Sequence, residues 1–299
     1  MSEHQFTTSN SFTQNVYRDV YPAVDPSSKE LSQAGKVIVI TGSSSGLGRP
    51  GFAVSFAKAN PRALVLTARN PASHKETEAA IRAVNKTVEI LPLSIDILDE
   101  ASVKSGFAQI KQRFGTVDVL VHNAGLFGSD GMTLKDAPLE PWWRDIEANV
   151  KGYMLVTKHF LQLLGSEKHG TIISLTSAAG TFVMPGISAY SISKMAGTKL
   201  TAFTAAENPN VTAISLSPGI VLTSMTTPTF RPFAKDTPEL VGGVAVWSAT
   251  DAAKFMNGRY LSANWDVKEL EQMQAEIVKK DVLKFSLSGE FGNAVLRTV

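Results

Sequence analysis

The chain contains no cysteine. That single absence excludes disulfides, thiol nucleophiles and thiolate metal sites together. An excess of one charge is lacking too: 29 Lys and Arg stand against 27 Asp and Glu, a formal net charge of +2. Nucleic-acid binding asks for a basic face, and this balance gives none. The five histidines, His4, His74, His122, His159 and His169, show no metal-ligand spacing. They read as surface or local packing residues, and no metal is expected. No apolar run approaches the roughly 18 residues of a membrane span, and the N-terminus lacks a signal-peptide core. The expectation is a cytoplasmic protein with neither a membrane nor a nucleic acid as partner.

What is present suits a sizeable core. The chain has 299 residues, 43% of them apolar and 19% charged. Short β-branched runs alternate with helical patterns, and strands are expected to start near Val37, Ala63, Glu89, Val117, Thr171, Val211 and Gly258. Continuous apolar runs such as Val37 to Ile40 suit strands buried on both faces. Strand and helix alternation of this length predicts right-handed crossovers and a parallel sheet covered on both sides. The fold class is therefore α/β, a doubly wound parallel sheet in one domain over residues 34–266. Residues 1–33 read as an N-terminal extension and 267–299 as a helical C-terminal one. The N-terminal stretch is either partly disordered or an arm whose aromatics pack, with order expected for Tyr17 to Pro26 only. VKELEQMQAEIVKK puts Val267, Leu270, Met273 and Ile277 on one side of a helix. The last stretch, from Val282, has no clear pattern.

The first strand runs straight into TGSSSGLGRP, which opens a helical segment. Gly42, Gly46 and Gly48 permit a tight turn, so that backbone N–H groups can approach a pyrophosphate at a helix N-terminus. Pro50 falls in the first turn, where its missing N–H has no intrahelical partner to lose. The second strand ends at Arg69, with no Asp or Glu between Lys58 and Lys75. A carboxylate there would hold a ribose 2′-OH, whereas an arginine suits a 2′-phosphate or is simply a solvated charge. Asp96 ends the third strand and either accepts from an adenine amino group or caps the next helix, for which Asp99 is better placed. Asn123, Ala124 and Gly125 end the fourth strand, small enough for a ligand to approach. Asn149 stands inside a helical pattern that runs from Trp142 to Leu164 and is interrupted only by Gly152. There it has poor propensity and more often faces solvent or bonds locally.

The stretch SLTSAAGTFVMPGISAYSISK, Ser174 to Lys194, gathers the chemistry. Tyr190 and Lys194 are four apart, one face of a helix. A phenol of pKa about 10 is a poor base near neutrality, and a nearby ammonium should draw that value down. Ser177, delivered from a strand end, can hold a carbonyl or alcohol oxygen at the same point. After Gly219 the rhythm breaks into VLTSMTTPTFRPFAKDTPEL, a functional lid or a disordered loop. Phe182, Val183, Met184, Met225, Phe230 and Phe233 suggest an apolar pocket, or else ordinary packing.

Together TGSSSGLG, Asp96, HNAG, Asn149, Ser177, Tyr190, Lys194 and SPGIVLT resemble the short-chain dehydrogenase/reductase family, over roughly Lys36 to Ala263. The YPAVDP and NGRYLSANWDV segments look like a fungal branch of it. The resemblance implies a Rossmann-type fold and a nicotinamide cofactor. Tyr190 would pass the proton, Ser177 would position the substrate oxygen, and Lys194 would hold the nicotinamide ribose. Asn149 would hold a water linking Lys194 to solvent. The cofactor set would be Gly42, Ser44, Ser45, Gly46, Leu47, Gly48, Arg69, Asp96, Ile97, Asn123, Ala124, Gly125, Tyr190, Lys194, Pro218, Gly219, Val221 and Thr223. Arg69 points to NADP(H), hence to a reductase or alcohol dehydrogenase acting on an apolar small molecule of secondary metabolism. A dehydratase, isomerase or cyclase on the same fold, or a non-catalytic NADP-binding scaffold, are the alternatives. Family members commonly pair through the helices of Asn149 and Tyr190. A homodimer or homotetramer is therefore expected, with Tyr153, Val156, Phe160, Leu200 and Phe203 at the interface. Two departures stand out: His122 for the first asparagine of Asn-Asn-Ala-Gly, and Asn264-Trp265-Asp266 for the usual Asp-Gly-Gly.

Overall fold

In the computed structural model, which describes residues 4–287, the apolar runs form one seven-stranded parallel sheet. Its strands are Val37–Thr41 (β1), Ala63–Ala68 (β2), Glu89–Ser94 (β3), Val119–His122 (β4), Gly170–Leu175 (β5), Val211–Ser217 (β6) and Arg259–Ser262 (β7). The order is β3-β2-β1-β4-β5-β6-β7, with Ile38 paired to both Leu64 and Val119. β4 starts two residues later than its apolar run, because Asp118 is used at the strand entrance. Its N–H donates to the Val37 carbonyl, and its carboxylate accepts from Val37 N at 2.8 Å and pairs with Lys168 at 2.6 Å.

The unbroken hydrophobicity of β1 has a physical cause: both faces of the sheet are covered. Ile38 and Ile40 pack with Phe52, Phe56 and Trp247 on one side, and Val37 and Val39 with Phe107, Ile110 and Phe160 on the other. A side chain as large as Phe56 or Phe160, fully buried, contributes roughly 1.5–3 kcal/mol. The sheet reverses direction of growth between β1 and β4, and the crevice outside those carboxyl ends is where open α/β sheets bind ligands.

Helix Leu139–Ile146 passes through a π-helical turn, Glu147–Lys151, into helix Gly152–Leu164. Gly152 does not interrupt it; a Cβ there would lie 2.7 Å from Ile97 Cδ1, so the glycine admits Ile97. The next long helix, Ser188–Glu207, ends where Asn208 Nδ2 caps the Thr204 carbonyl.

Three expectations are corrected. Tyr153, Val156 and Phe160 are buried inside the monomer, so they cannot face a second subunit; only Phe203, 52% exposed, and half-buried Leu200 remain available. Order in the N-terminal arm is not confined to Tyr17–Pro26, because Gln5–Thr8 is helical and the arm is bonded along its length. The C-terminal amphipathic pattern is two short helices, Val267–Gln272 and Gln274–Lys279, on either side of Met273. They still bury Val267, Leu270 and Ile277. Residues 288–299 of that extension lie outside the described residues. No helix among the described residues is long and apolar enough to cross a membrane.

Candidate active site

The glycine turn is shaped by what it touches. Gly42 sits at φ +63°, where a Cβ would lie 3.0 Å from Ala124 Cα, and a Cβ on Gly48 would meet the Gly42 carbonyl oxygen at 2.2 Å. Asn123 Nδ2 donates to the Thr41 and Gly42 carbonyls at 2.9 Å each, and Thr41 Oγ1 accepts from Asn123 N and Ala124 N. The ends of β1 and β4 are thus bonded into one rim. Asn123 spends its amide on that rim. Beneath the turn, buried His74 meets Ser43 Oγ at 3.0 Å; burial lowers its pKa, which keeps the imidazole neutral.

Arg49 folds back over the turn, its Nη2 donating to the Ser44 carbonyl at 2.7 Å while Nη1 pairs with Glu76. A groove of about 490 Å³ runs between Ser45, Gly46, Arg49 and Pro50 on one side and Val221 to Ser224 on the other. Gly46 on its rim has nothing within 4 Å of a Cβ position, which fits the open backbone approach that a dinucleotide pyrophosphate needs. Arg69 is exposed at the end of β2, and no described residue forms an ion pair with its guanidinium. Asp96 Oδ1 accepts from Leu98 N at 3.0 Å, so it shapes its own loop, while Asp99 caps the following helix through Ala101 N.

Ser177 and Tyr190 line a second cavity, of about 190 Å³, together with Leu47, Pro218, Gly219, Val221 and Thr223. Ser177 begins a short turn, its Oγ accepting from Ala179 N at 3.1 Å, and its side chain hydrogen-bonds Tyr190. Lys194 lies one turn further, Nζ 5.6 Å from the Tyr190 ring centre, donating to the Leu175 carbonyl at 2.9 Å. Asn149 comes in from the π-helical turn. Its Oδ1 accepts from Leu126 N at 2.9 Å, and Nδ2 donates to Leu126 O and Ser193 Oγ. Both amide hydrogens are engaged, so the side chain can offer a water only the second lone pair of Oδ1. Gly125 makes the convergence possible: a Cβ there would lie 2.8 Å from Asn149 Oδ1 and 3.6 Å from Lys194 Nζ.

Burial sets the tyrosine's acidity. It pushes Tyr190 up to about 12, against the hydrogen bond from Ser177 and with the negative charge of Asp145 adding to the rise. This reverses the expected downward shift. Burial also draws Lys194 down to about 8, with Asp145 opposing. His122, the departure from the family pattern, is pushed by burial down to about 3 and is neutral. It stacks on Tyr153 at 4.4 Å and bonds Thr157 at 2.9 Å.

Sequence reasoning missed Asp145. It is fully buried and accepts from Gly128 N at 2.8 Å, Ser129 N at 3.2 Å and Ser129 Oγ at 2.5 Å. Those bonds pin the loop that stacks Phe127 on Tyr190, centres 4.3 Å apart. Its position four residues before Asn149, on the same helical face, was the available signal. Of the expected pocket residues, Phe182, Met225 and Phe230 line the cavity. Val183 is 98% exposed, and Met184 and Phe233 are not in the lining. Phe6, Thr7, Asn10, Phe127 and Tyr260, none of them expected, are.

A family model described as short chain dehydrogenase matches residues 36–232. The chain is 36% identical to the short chain dehydrogenase mpl6 of Monascus purpureus over 294 residues, 94% of this chain and 99% of that one. It is 32% identical to the short chain dehydrogenase andI of Emericella variicolor, covering 92% and 96%. Among solved structures, a short-chain type dehydrogenase/reductase from Mycobacterium marinum superposes with a TM-score of 0.71 at 26% identity, over 78% of this chain and 95% of its own.

Proposed function

The chain belongs to the short-chain dehydrogenase family, oxidoreductases that act on CH–OH and C=O groups with a nicotinamide cofactor, and from that premise we propose an NADP(H)-dependent reductase of an apolar ketone or aldehyde. The observation that carries the reading is Ser177 and Tyr190 on one cavity wall with Pro218 and Gly219, with Lys194 one turn behind. The glycine turn from Gly42 to Gly48, including Ser44, Ser45, Gly46 and Leu47, would hold the pyrophosphate, and Arg69 a 2′-phosphate. Asp96 and Ile97 would flank the adenine, Asn123 to Gly125 the ribose side, and Pro218, Gly219, Val221 and Thr223 the nicotinamide. When bound, that cofactor supplies the hydride.

The chain's own residues handle the proton. Tyr190, with its pKa near 12, is protonated at neutral pH and stands ready to donate to the developing alkoxide. Ser177 donates a second hydrogen bond to the same oxygen. Lys194, mostly cationic below its pKa of about 8, stabilises the phenolate left behind. Asn149 holds Leu126 and Ser193 in place around them.

Arg69 carries the coenzyme choice. A charge-assisted hydrogen bond contributes on the order of 1.5–3 kcal/mol net, or roughly ten- to hundredfold in affinity. Calorimetry should show NADPH bound more tightly than NADH by that factor, and the preference lost in Arg69→Ala. Equal affinities in the wild type would reduce Arg69 to a solvated charge. An anaerobic single turnover against a panel of ketones should consume NADPH absorbance, whereas the non-redox alternatives would leave it intact. We also propose a homodimer or homotetramer. Its support is a stripe on helix Ser188–Glu207, where Ile192, Met195 and Phe203 are each more than 40% exposed.

A further inference from the structure

Residues 4–17 precede residue 36, where the family match begins, yet they reach the catalytic cavity. Phe6, Thr7 and Asn10 line it alongside Ser177 and Tyr190. Phe6 stands edge-on to Phe233 at 4.9 Å and 86° and to Phe230 at 6.0 Å and 62°, so the arm and the irregular segment after Gly219 meet ring to ring at the cavity.

The arm is held there by the three residues that replace the family's glycine-rich triplet. Asn264 Nδ2 donates to the Tyr17 carbonyl and its own carbonyl accepts from Tyr17 N, both at 2.8 Å. Trp265 Nε1 donates to the Asn10 carbonyl at 2.9 Å, and Asp266 N to Thr13 Oγ1 at 3.1 Å. Glu269 adds bonds from Gln14 N, Asn15 N and Asn15 Nδ2. A glycine in place of Asn264 or Trp265 would lack the side chain that makes the bond.

The same arm neutralises the cavity. Among the described residues Asp236 is the one charged side chain in its lining. It is buried, accepts from Ile220 N at 2.6 Å and Asn264 Nδ2 at 2.9 Å, and is paired with Arg18 at 3.8 Å. Arg18 in turn donates to Thr7 Oγ1 at 2.7 Å. Among the described residues no lysine or arginine lines the cavity to meet an anionic substrate, while Phe6, Phe127, Phe182, Phe230 and Tyr260 offer rings.

We propose that the N-terminal arm is a specificity element: through Phe6 it completes an aromatic subsite over Ser177 and Tyr190 for the ring of an uncharged aryl ketone or aldehyde. The carbonyl part rests on the reductase reading above; the aromatic subsite does not.

The test uses the full chain, wild type and Phe6→Ala, with 2-naphthol as a non-reactive probe. Its binding is followed by calorimetry beside NADPH binding and melting temperature. Phe6 is half-buried at the surface and loses its ring contacts with Phe230 and Phe233, so the substitution should lower the melting temperature slightly and leave NADPH affinity unchanged. The naphthol affinity should fall roughly three- to tenfold, the worth of a lost edge-to-face ring contact. Turnover of 2-naphthaldehyde should lose the same factor in kcat/KM and turnover of butanal less, so that the ratio of the two falls. Naphthol that fails to bind the wild type, or binds both proteins equally, overturns the subsite. So does a variant in which NADPH affinity falls along with naphthol, since the arm would then be a structural brace. If naphthol binding shifts as stated while no aldehyde consumes NADPH, the subsite stands and the reductase reading falls.

Discussion

At the scale of the residue, Tyr190, Lys194 and Asp145 form one electrostatic problem. Tyr190→Phe keeps the ring that stacks on Phe127 and removes the hydroxyl that carries the proton. Turnover should fall by about 10²–10⁴, the ordinary worth of a positioned general acid, with NADPH affinity retained by calorimetry. The alkaline side of the profile belongs to Lys194. Its ammonium is lost through a pKa of about 8, so the reduction rate should decline as pH rises through that value, and Lys194→Arg should remove the limb. Between about 8 and the ordinary 10.5, the unfolded chain holds this proton and the folded chain does not. Lys194 alone therefore makes stability rise with pH in that window, its cost being fully present below pH 8. Asp145 raises the lysine's pKa. Asp145→Asn should therefore move the alkaline limb to lower pH, and an unmoved profile would confine Asp145 to holding its loop.

At the scale of the element, the glycine turn separates close approach from backbone freedom. Gly48→Ala places a methyl 2.2 Å from the Gly42 carbonyl and 2.8 Å from Ser43 Cα, and neither backbone atom can yield without opening the turn. Coenzyme binding should be lost by calorimetry while the circular dichroism of the sheet and helices remains. Gly46 is the control. It has φ +52° and nothing within 4 Å of the place a methyl would take, so Gly46→Ala should cost only roughly 1–2 kcal/mol of left-handed strain. Equal losses at both positions would show that the turn is sensitive to backbone conformation and not to contact. The π-helical turn Glu147–Lys151 is a second such device, since the extra residue per turn brings Asn149 round to Leu126 and Ser193.

At the scale of the whole molecule, the exposed stripe Ile192, Met195 and Phe203 lies on a helix that packs beside Leu139–Ile146, which itself leaves Trp143 52% exposed. Apolar side chains gathered this way mark an association surface more often than a bare one. Light scattering should report a dimer or tetramer, and Phe203→Asp should shift it towards monomer with unchanged circular dichroism. A wild type that stays monomeric at every concentration would remove this proposal without touching the fold.

The amino-acid sequence by itself determined the sheet, the glycine turn and the Tyr190–Lys194 pair. A short β-branched run such as Val37 to Ile40, apolar at every position, suits an inner strand, and a four-residue spacing fixes one helical face whatever surrounds it. These are local properties, carried by neighbours in the chain. Tertiary structure alone decided the rest. The anchoring of Asn10 by Trp265 joins residues 255 apart, and no periodicity encodes that. The resemblance put Asn149 in the site, but its residue pattern by itself read as solvent-facing, because the π-helical turn that carries it and its bonds to Leu126 have no signature in the chain order. Tyr153, Val156 and Phe160 read as a subunit face until the fold buried them. The acidity of Tyr190 reversed sign for the same reason: the neighbouring charge is written in the sequence, but desolvation is written only in the packing.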